Sequence, residues 1–235
     1  LKYNVLYQDV GRKDFKETWD YQTDIFNKLV NNKKSSKEAA GNSIKNLHGT
    51  LIFVEHPHVY TLGKSGSENN LLLDYIQLKA KDASFYKIDR GGDITYHGPG
   101  QIVGYPIFDL EAMNIGLKEY IYRLEESIIR SVGELGLTAA RLEGGTGVWF
   151  DPDISGKARK ICAIGVKASR YITMHGFAFN VNTDLAYFNN INPCGFTDKG
   201  VTSLEKELGC RQDEEAVKNI VRRNIQEVFD LDWIN

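Results

Sequence analysis

A chain of 235 residues is long enough for one large domain with a buried core, or for two small ones. Its 29 Lys and Arg against 31 Asp and Glu leave a formal charge of −2, which supplies no global attraction to nucleic acid or to an anionic membrane. No apolar run approaches the roughly 20 residues of a membrane span, the opening residues are too polar for a secretory signal, and three cysteines fit a reducing cytoplasm better than a disulfide framework.

"YNVLYQDV" reads as a first strand. Phe15, Trp19, Gln22, Phe26 and Leu29 then recur at spacings of 4, 3, 4 and 3, one face of a helix. Residues 31–48 are polar and read as a mobile loop. "GTLIFVEHPHVYTLG" holds a buried strand ended by Pro57, and "SFYKIDRGGDITYHGPGQIVGYPIFDL" reads as strand, Gly-rich turn, strand. A second helix is expected from about Leu117 to Leu135, burying Ile121, Leu124, Ile128, Val132 and Leu135. "GVWF", "KICAIGVKAS" and "YITMHGFAFNV" read as further strands. In "TSLEKELG" Thr202 and Glu205 have capping-box spacing and Gly209 supplies a stop, which marks a short helix. A last helix starts near Asp213 and buries Val217, Ile220, Val221 and Val228. Strands and helices interleave without regular βαβ alternation, so the expected class is α/β (α+β) with a mixed sheet, in one domain.

Chemistry-bearing residues cluster in three places. "RGGDITYHGPGQ", Arg90 to Gln101, sets charged and hydrogen-bonding side chains on a glycine frame; it is either a binding loop or a tight connection, and it is neither a phosphate loop nor a dinucleotide fingerprint. In "KICAIGVKASR", strict alternation puts Lys160, Cys162, Ile164 and Val166 on one face and Ile161, Ala163, Gly165 and Lys167 on the other. Lys160 is then either a strand-end lysine with its head in water or a partly desolvated amine of lowered pKa. Cys194, between Pro193 and Gly195, is either a turn residue or a nucleophile; Cys162 reads as core and Cys210 as incidental. His56 and His58 would share a strand face, but no third ligand is placed, so no metal is expected. His97 and His175 are better placed for chemistry or substrate contact, although His175 reads equally well as a satisfied core residue.

Taken in order over roughly residues 50–208, "EHPHVYTLG", "DRGGDITYHGPGQIVGYPIFDL", "GVW", "KICAIGVKASRYITMHGFAFNV", "NPCG" and "GVTSL" resemble the signature blocks of the lipoyl(octanoyl) transferases. The resemblance implies the fold of biotin and lipoate protein ligases: a mixed larger sheet plus a smaller sheet, flanked by helices. It implies that Cys194 is an acyl-thioester nucleophile and Lys160 the group that lowers its pKa and exchanges protons. Substrate would lie against Arg90, Gly91, Gly92, Asp93, Ile94, Thr95, Tyr96 and His97, against Ala163, Ile164 and Gly165, and against Gly176, Phe177 and Ala178. The acyl slot is expected near Tyr96, Ile164 and Phe177. Cys162 departs from the expected small apolar residue and puts a second thiol near the pocket.

The implied reaction moves an octanoyl group from octanoyl-acyl carrier protein to the lysine of lipoyl domains, those of 2-oxoacid dehydrogenases and the glycine cleavage H protein, with no cofactor and in the cytoplasm. A monomer is expected. Lys157, Arg159, Lys167 and Arg170 form a candidate docking patch for acidic partners, unless they are ordinary solvated charges. The rival on the same fold is an ATP-dependent lipoate or biotin protein ligase.

Overall fold

The computed structural model describes residues 2–35, 47–192 and 199–234, the backbone alone at 34 and 35. Its elements are β1 (Tyr3–Arg12), α1 (Phe15–Ser35), β2 (Gly49–Glu55), β3 (Val59–Leu62), α2 (Tyr75–Ala80), β4 (Ser84–Lys87), β5 (Ile94–His97), β6 (Gln101–Phe108), α3 (Leu117–Glu134), β7 (Ala140–Leu142), β8 (Gly145–Phe150), β9 (Arg159–Ser169), β10 (Ile172–Asn180), β11 (Gly200–Val201), α4 (Leu204–Leu208), α5 (Glu214–Phe229) and β12 (Leu231–Ile234). The polar stretch 31–48 expected as a loop is helical at its start, where α1 takes residues 31–35, and residues 36–46 lie outside the described residues.

The larger sheet runs β12-β1-β2-β6-β10-β9-β8-β7, with β11 beside β9, and the smaller runs β4-β3-β5. Both are mixed: β1 is parallel to β2 and β12, β2 is antiparallel to β6, and β3 is parallel to β4 but antiparallel to β5. The larger sheet is covered on both faces. Phe26 of α1 packs with Ile52, Val54, Val103, Met174 and Ala178, whereas Leu51, Phe53, Ile102, Phe177 and Phe179 pack beneath α3 and α5. Successive residues of β2 therefore serve opposite layers, the period-2 geometry of a strand. Each large side chain so buried contributes about 1.5–3 kcal/mol before entropy.

Two prolines shape the site. Pro57 separates β2 from β3 and sends the chain from the larger sheet to the smaller. Pro106 sits in the central strand β6 and has no N–H to give to a ladder. The β6–β10 pairing runs from Asn180 to Phe177 and stops at Gly104; beyond it the Thr173 hydroxyl donates to Pro106 O at 2.8 Å and accepts from Phe108 N at 2.9 Å. The side chain takes over where the backbone cannot bond. In that interval His175 adopts φ +62°, and Gly176 lies so close to Gly104 that a Cβ would fall on its carbonyl oxygen.

The short helix α4 is capped one residue later than expected. Ser203, not Thr202, is the N-cap and accepts from Lys206 N at 3.3 Å, while Thr202 donates to Glu207 at 2.5 Å. Both residue types cap helices, so spacing alone does not choose between them.

Candidate active site

A cavity of about 1070 Å³ opens between the two sheets, at the upper end of the range for small-molecule clefts. One wall is the segment after β4. Lys64 N donates to Arg90 O, Ser65 N to Gly92 O and Gly91 N to Val166 O, which ties the glycine loop to both sheets. Gly92 turns at φ +86°, a conformation open to glycine. The Arg90 side chain is buried, donating to Thr61 O at 2.7 Å, Thr61 Oγ1 at 3.1 Å and Gly91 O at 3.0 Å. Its Nε has no hydrogen-bond partner among the described residues, and burial lowers its pKa to about 10. The three hydrogen bonds fix the guanidinium against the smaller sheet and the glycine loop.

Lys160 enters the same cavity, by a route that strict alternation does not foresee. Opposite β8, Val148 pairs with Cys162 but Trp149 pairs with Lys160, so β9 carries one extra residue there. Such a bulge turns a strand's side chains over. Ile161 and Cys162 both point into the core below α3 and α5, and Lys160 joins Ala163 and Gly165 along the cavity. Lys160 thus shares a face with Ala163, not with Cys162. Its Nζ stands 4.5 Å from the centre of the Trp149 ring. Burial, reinforced by the Arg90 charge and opposed by Cys162, lowers its pKa to about 8. Cys162 is fully buried, its thiol pKa is raised by burial, and it does not line the cavity; the concern about two thiols at one pocket is removed.

His97 donates from Nδ1 to Gln101 Oε1 at 2.9 Å, because Gln101 turns its amide nitrogen to Asn180 Oδ1 at 2.8 Å. Its ring stacks on Phe15, and burial lowers its pKa to about 3, so it is neutral at physiological pH with a lone pair on Nε2. His175 donates from Nε2 to Asp89 Oδ1 at 2.9 Å, and Lys167 pairs with the other oxygen. That hydrogen bond, with the lysine, holds the Asp89 carboxyl well below the usual range. His56 and His58 do not share a site: His56 accepts from Tyr105 at 2.8 Å, and His58 meets the Tyr96 hydroxyl at 2.6 Å in the smaller sheet.

Of the expected substrate-contacting residues, Arg90, Gly91, Gly92, Asp93, Ile94, Thr95, His97, Ala163, Ile164, Gly165, Gly176, Phe177 and Ala178 all border this cavity. Tyr96 does not. Its ring is fully buried among Tyr60, Tyr187 and Phe188, in the apolar cluster of the smaller sheet. The acyl slot expected beside Tyr96 is therefore not formed by its ring. The candidate docking patch is also changed: Arg159 is held by Glu207 and Asp151, and Lys167 by Asp89. Trp149, Thr61 and Asp89 had not been singled out. Each lies in a quoted block, Thr61 in "EHPHVYTLG", Asp89 at the head of "DRGGDITYHGPGQIVGYPIFDL" and Trp149 in "GVW", but no spacing marked them out.

Pro193 and Cys194 lie outside the described residues, which resume at Lys199. Both flanks of that segment border the cavity. Asn192 N donates to Asn70 O at 2.8 Å, and Gly200–Val201 pair with Arg159–Lys160 in β9.

A family model for the lipoyl protein ligase A/B catalytic domain matches residues 16–226. Relatives named octanoyltransferase are 55% identical in Parabacteroides distasonis, over 95% of this chain and 97% of the relative, and 54% identical in Flavobacterium johnsoniae, over 98% of each. The chain belongs to the octanoyltransferase family. It is accordingly an acyltransferase. Among solved structures it is similar to lipoate-protein ligase A bound with ATP (TM-score 0.69, 15% identity, 100% of this chain and 88% of the other). It is also similar to a bipartite archaeal lipoate protein ligase from Thermoplasma acidophilum (TM-score 0.67, 14% identity, 100% and 86%). At such identities the likeness shows the fold, a mixed main sheet and a smaller sheet with flanking helices. Among the described residues no helix is long and apolar enough to cross a membrane.

Proposed function

We propose that this octanoyltransferase moves an octanoyl group from octanoyl-acyl carrier protein to the lysine of a lipoyl domain through an acyl-Cys194 thioester, as one step of protein lipoylation in the cytoplasm. The observation that carries the reading is Lys160: a lysine turned into the cavity by a strand bulge, its pKa lowered to about 8, in the same cavity that both flanks of the Cys194 segment border.

A thiolate rather than a thiol attacks, and a nearby ammonium favours it. Lys160 is still mostly protonated at neutral pH, so it stabilises the thiolate; its conjugate base is accessible enough to take a proton in the second half-reaction. The thiolate attacks the octanoyl carbonyl, a C–S bond forms, and the carrier's thiol leaves with the proton. The acceptor lysine's amine then attacks the enzyme thioester, an amide forms, and the Cys194 thiolate is released. Arg90 borders the cavity, and its positive charge suits a carbonyl oxygen that gains negative charge. Octanoyl arrives activated, so no nucleotide is required. Burying about six methylenes at about 0.8 kcal/mol each contributes roughly 5 kcal/mol, enough to reject short acyl groups.

Incubation with octanoyl-acyl carrier protein followed by intact-protein mass spectrometry tests the covalent step. The wild-type enzyme should carry one octanoyl group and Cys194→Ala none; an undiminished adduct on Cys194→Ala contradicts the proposal.

A further inference from the structure

The bulge that aims Lys160 needs support, and the sequence pattern of β8 and β9 does not supply it. Strand β8 loses register with both neighbours at one place. Towards β9 the shift falls between Val148 and Trp149; towards β7, Leu142 pairs with Gly145 and Ala140 with Trp149, so three residues of β8 face one of β7. Gly147 lies in this break, at φ +119°, packed so tightly on β9 that a Cβ would stand 2.5 Å from Cys162 O and 3.5 Å from Lys160 Cε. Its buried amide donates to Glu125 Oε1 at 2.9 Å.

Glu125 lies on α3 beside the helix's apolar stripe and is itself buried. Its other oxygen accepts from Arg141 Nε at 3.1 Å. Arg141 is fixed in turn by Glu126 at 2.8 Å, by Tyr122 O at 3.0 Å and by the Tyr122 ring, 3.7 Å below the guanidinium. A buried carboxylate is costly unless paired and hydrogen-bonded. Here one oxygen is spent on charge and the other on a single backbone amide at the bulge.

We propose that Glu125 is a positioning residue: by holding the Gly147 amide it keeps β8 pressed on β9 and so keeps Lys160 turned into the cavity. Glu125 acts through Gly147 and touches no substrate. The catalytic consequence rests on Lys160 being the proton-exchanging group of the proposed reaction, whereas the geometric consequence does not.

Three variants and two readouts test this. Glu125→Gln retains an acceptor for Gly147; Glu125→Met fills the same volume with none. The first readout is the rate at which an amine-reactive acylating reagent labels Lys160 against pH, read by peptide mass spectrometry. The second is kcat and KM for octanoyl transfer. The wild-type labelling midpoint should lie near pH 8. In Glu125→Met it should rise by about one unit or more, as the amine gains water. In that variant kcat should fall about tenfold or more while KM stays within about twofold. Glu125→Gln should keep the wild-type midpoint and remain within about threefold in kcat. If Glu125→Met does not fold, Glu125→Asp, which withdraws the carboxylate by one methylene, should move both readouts in the same directions. An unmoved labelling profile in the folded Met or Asp variant overturns the proposal, as does a Gln variant no better than Met. Absence of transfer by the wild-type enzyme defeats the proposed reaction, while the labelling profiles still decide the role of Glu125.

Discussion

Lys160 pairs a chemical asset with a folding cost. A lysine whose pKa falls from 10.5 to about 8 on folding binds its proton more weakly in the native state than in the unfolded one. The penalty, on the order of 3 kcal/mol, is fully present below pH 8, declines between about pH 8 and 10.5, and is absent above, where both states are neutral. Lys160→Met should therefore be more stable than the wild type at pH 7 by up to about 3 kcal/mol, and the advantage should vanish above about pH 10.5. Urea denaturation at pH 7 and at pH 10.5 or above measures it. Equal stability at pH 7 would mean that the amine reaches water in the folded protein. The type of residue was legible in the chain, a lysine in an otherwise apolar strand. Its direction was not, because period-2 alternation assumes an unbroken ladder and a bulge leaves no mark in "KICAIG".

At the scale of elements, much of the arrangement follows from patterns open to reading. The helical stripes of α1, α3 and α5 and the buried run of β2 became layers on the larger sheet. The glycine segment from Arg90 became a wall of the cavity. What spacing could not convey are long-range substitutions of one hydrogen bond for another: Thr173 serving Pro106, Thr61 receiving Arg90, Glu125 receiving Gly147. These pairs lie 22 to 67 positions apart in the chain, and nothing local announces them. The meeting of β6 and β10 gives a test at this scale. A Cβ on Gly176 would strike Gly104 O and lie 2.6 Å from Pro106 Cδ, atoms of a central strand that cannot yield cheaply. Gly176→Ala should destabilise the fold by about 1–3 kcal/mol in urea and lower transfer, since Gly176 borders the cavity. Wild-type stability in that variant would show that the two strands separate more readily than their packing implies.

For the whole molecule, two sheets and a cleft between them serve relatives of more than one chemistry, so the fold leaves the reaction open. Family membership narrows it to octanoyl transfer, and in the reaction we propose the glycine loop would meet the acyl carbonyl, Lys160 would exchange the proton and Cys194 would supply the sulfur. The most direct measurement is to incubate the enzyme with octanoyl-acyl carrier protein and an apo lipoyl domain, without ATP, and to weigh the lipoyl domain. The account predicts one octanoyl group on its lysine with wild-type enzyme and none with Cys194→Ala. Transfer that proceeds equally well without Cys194, or that occurs from free octanoate only when ATP is added, would contradict it.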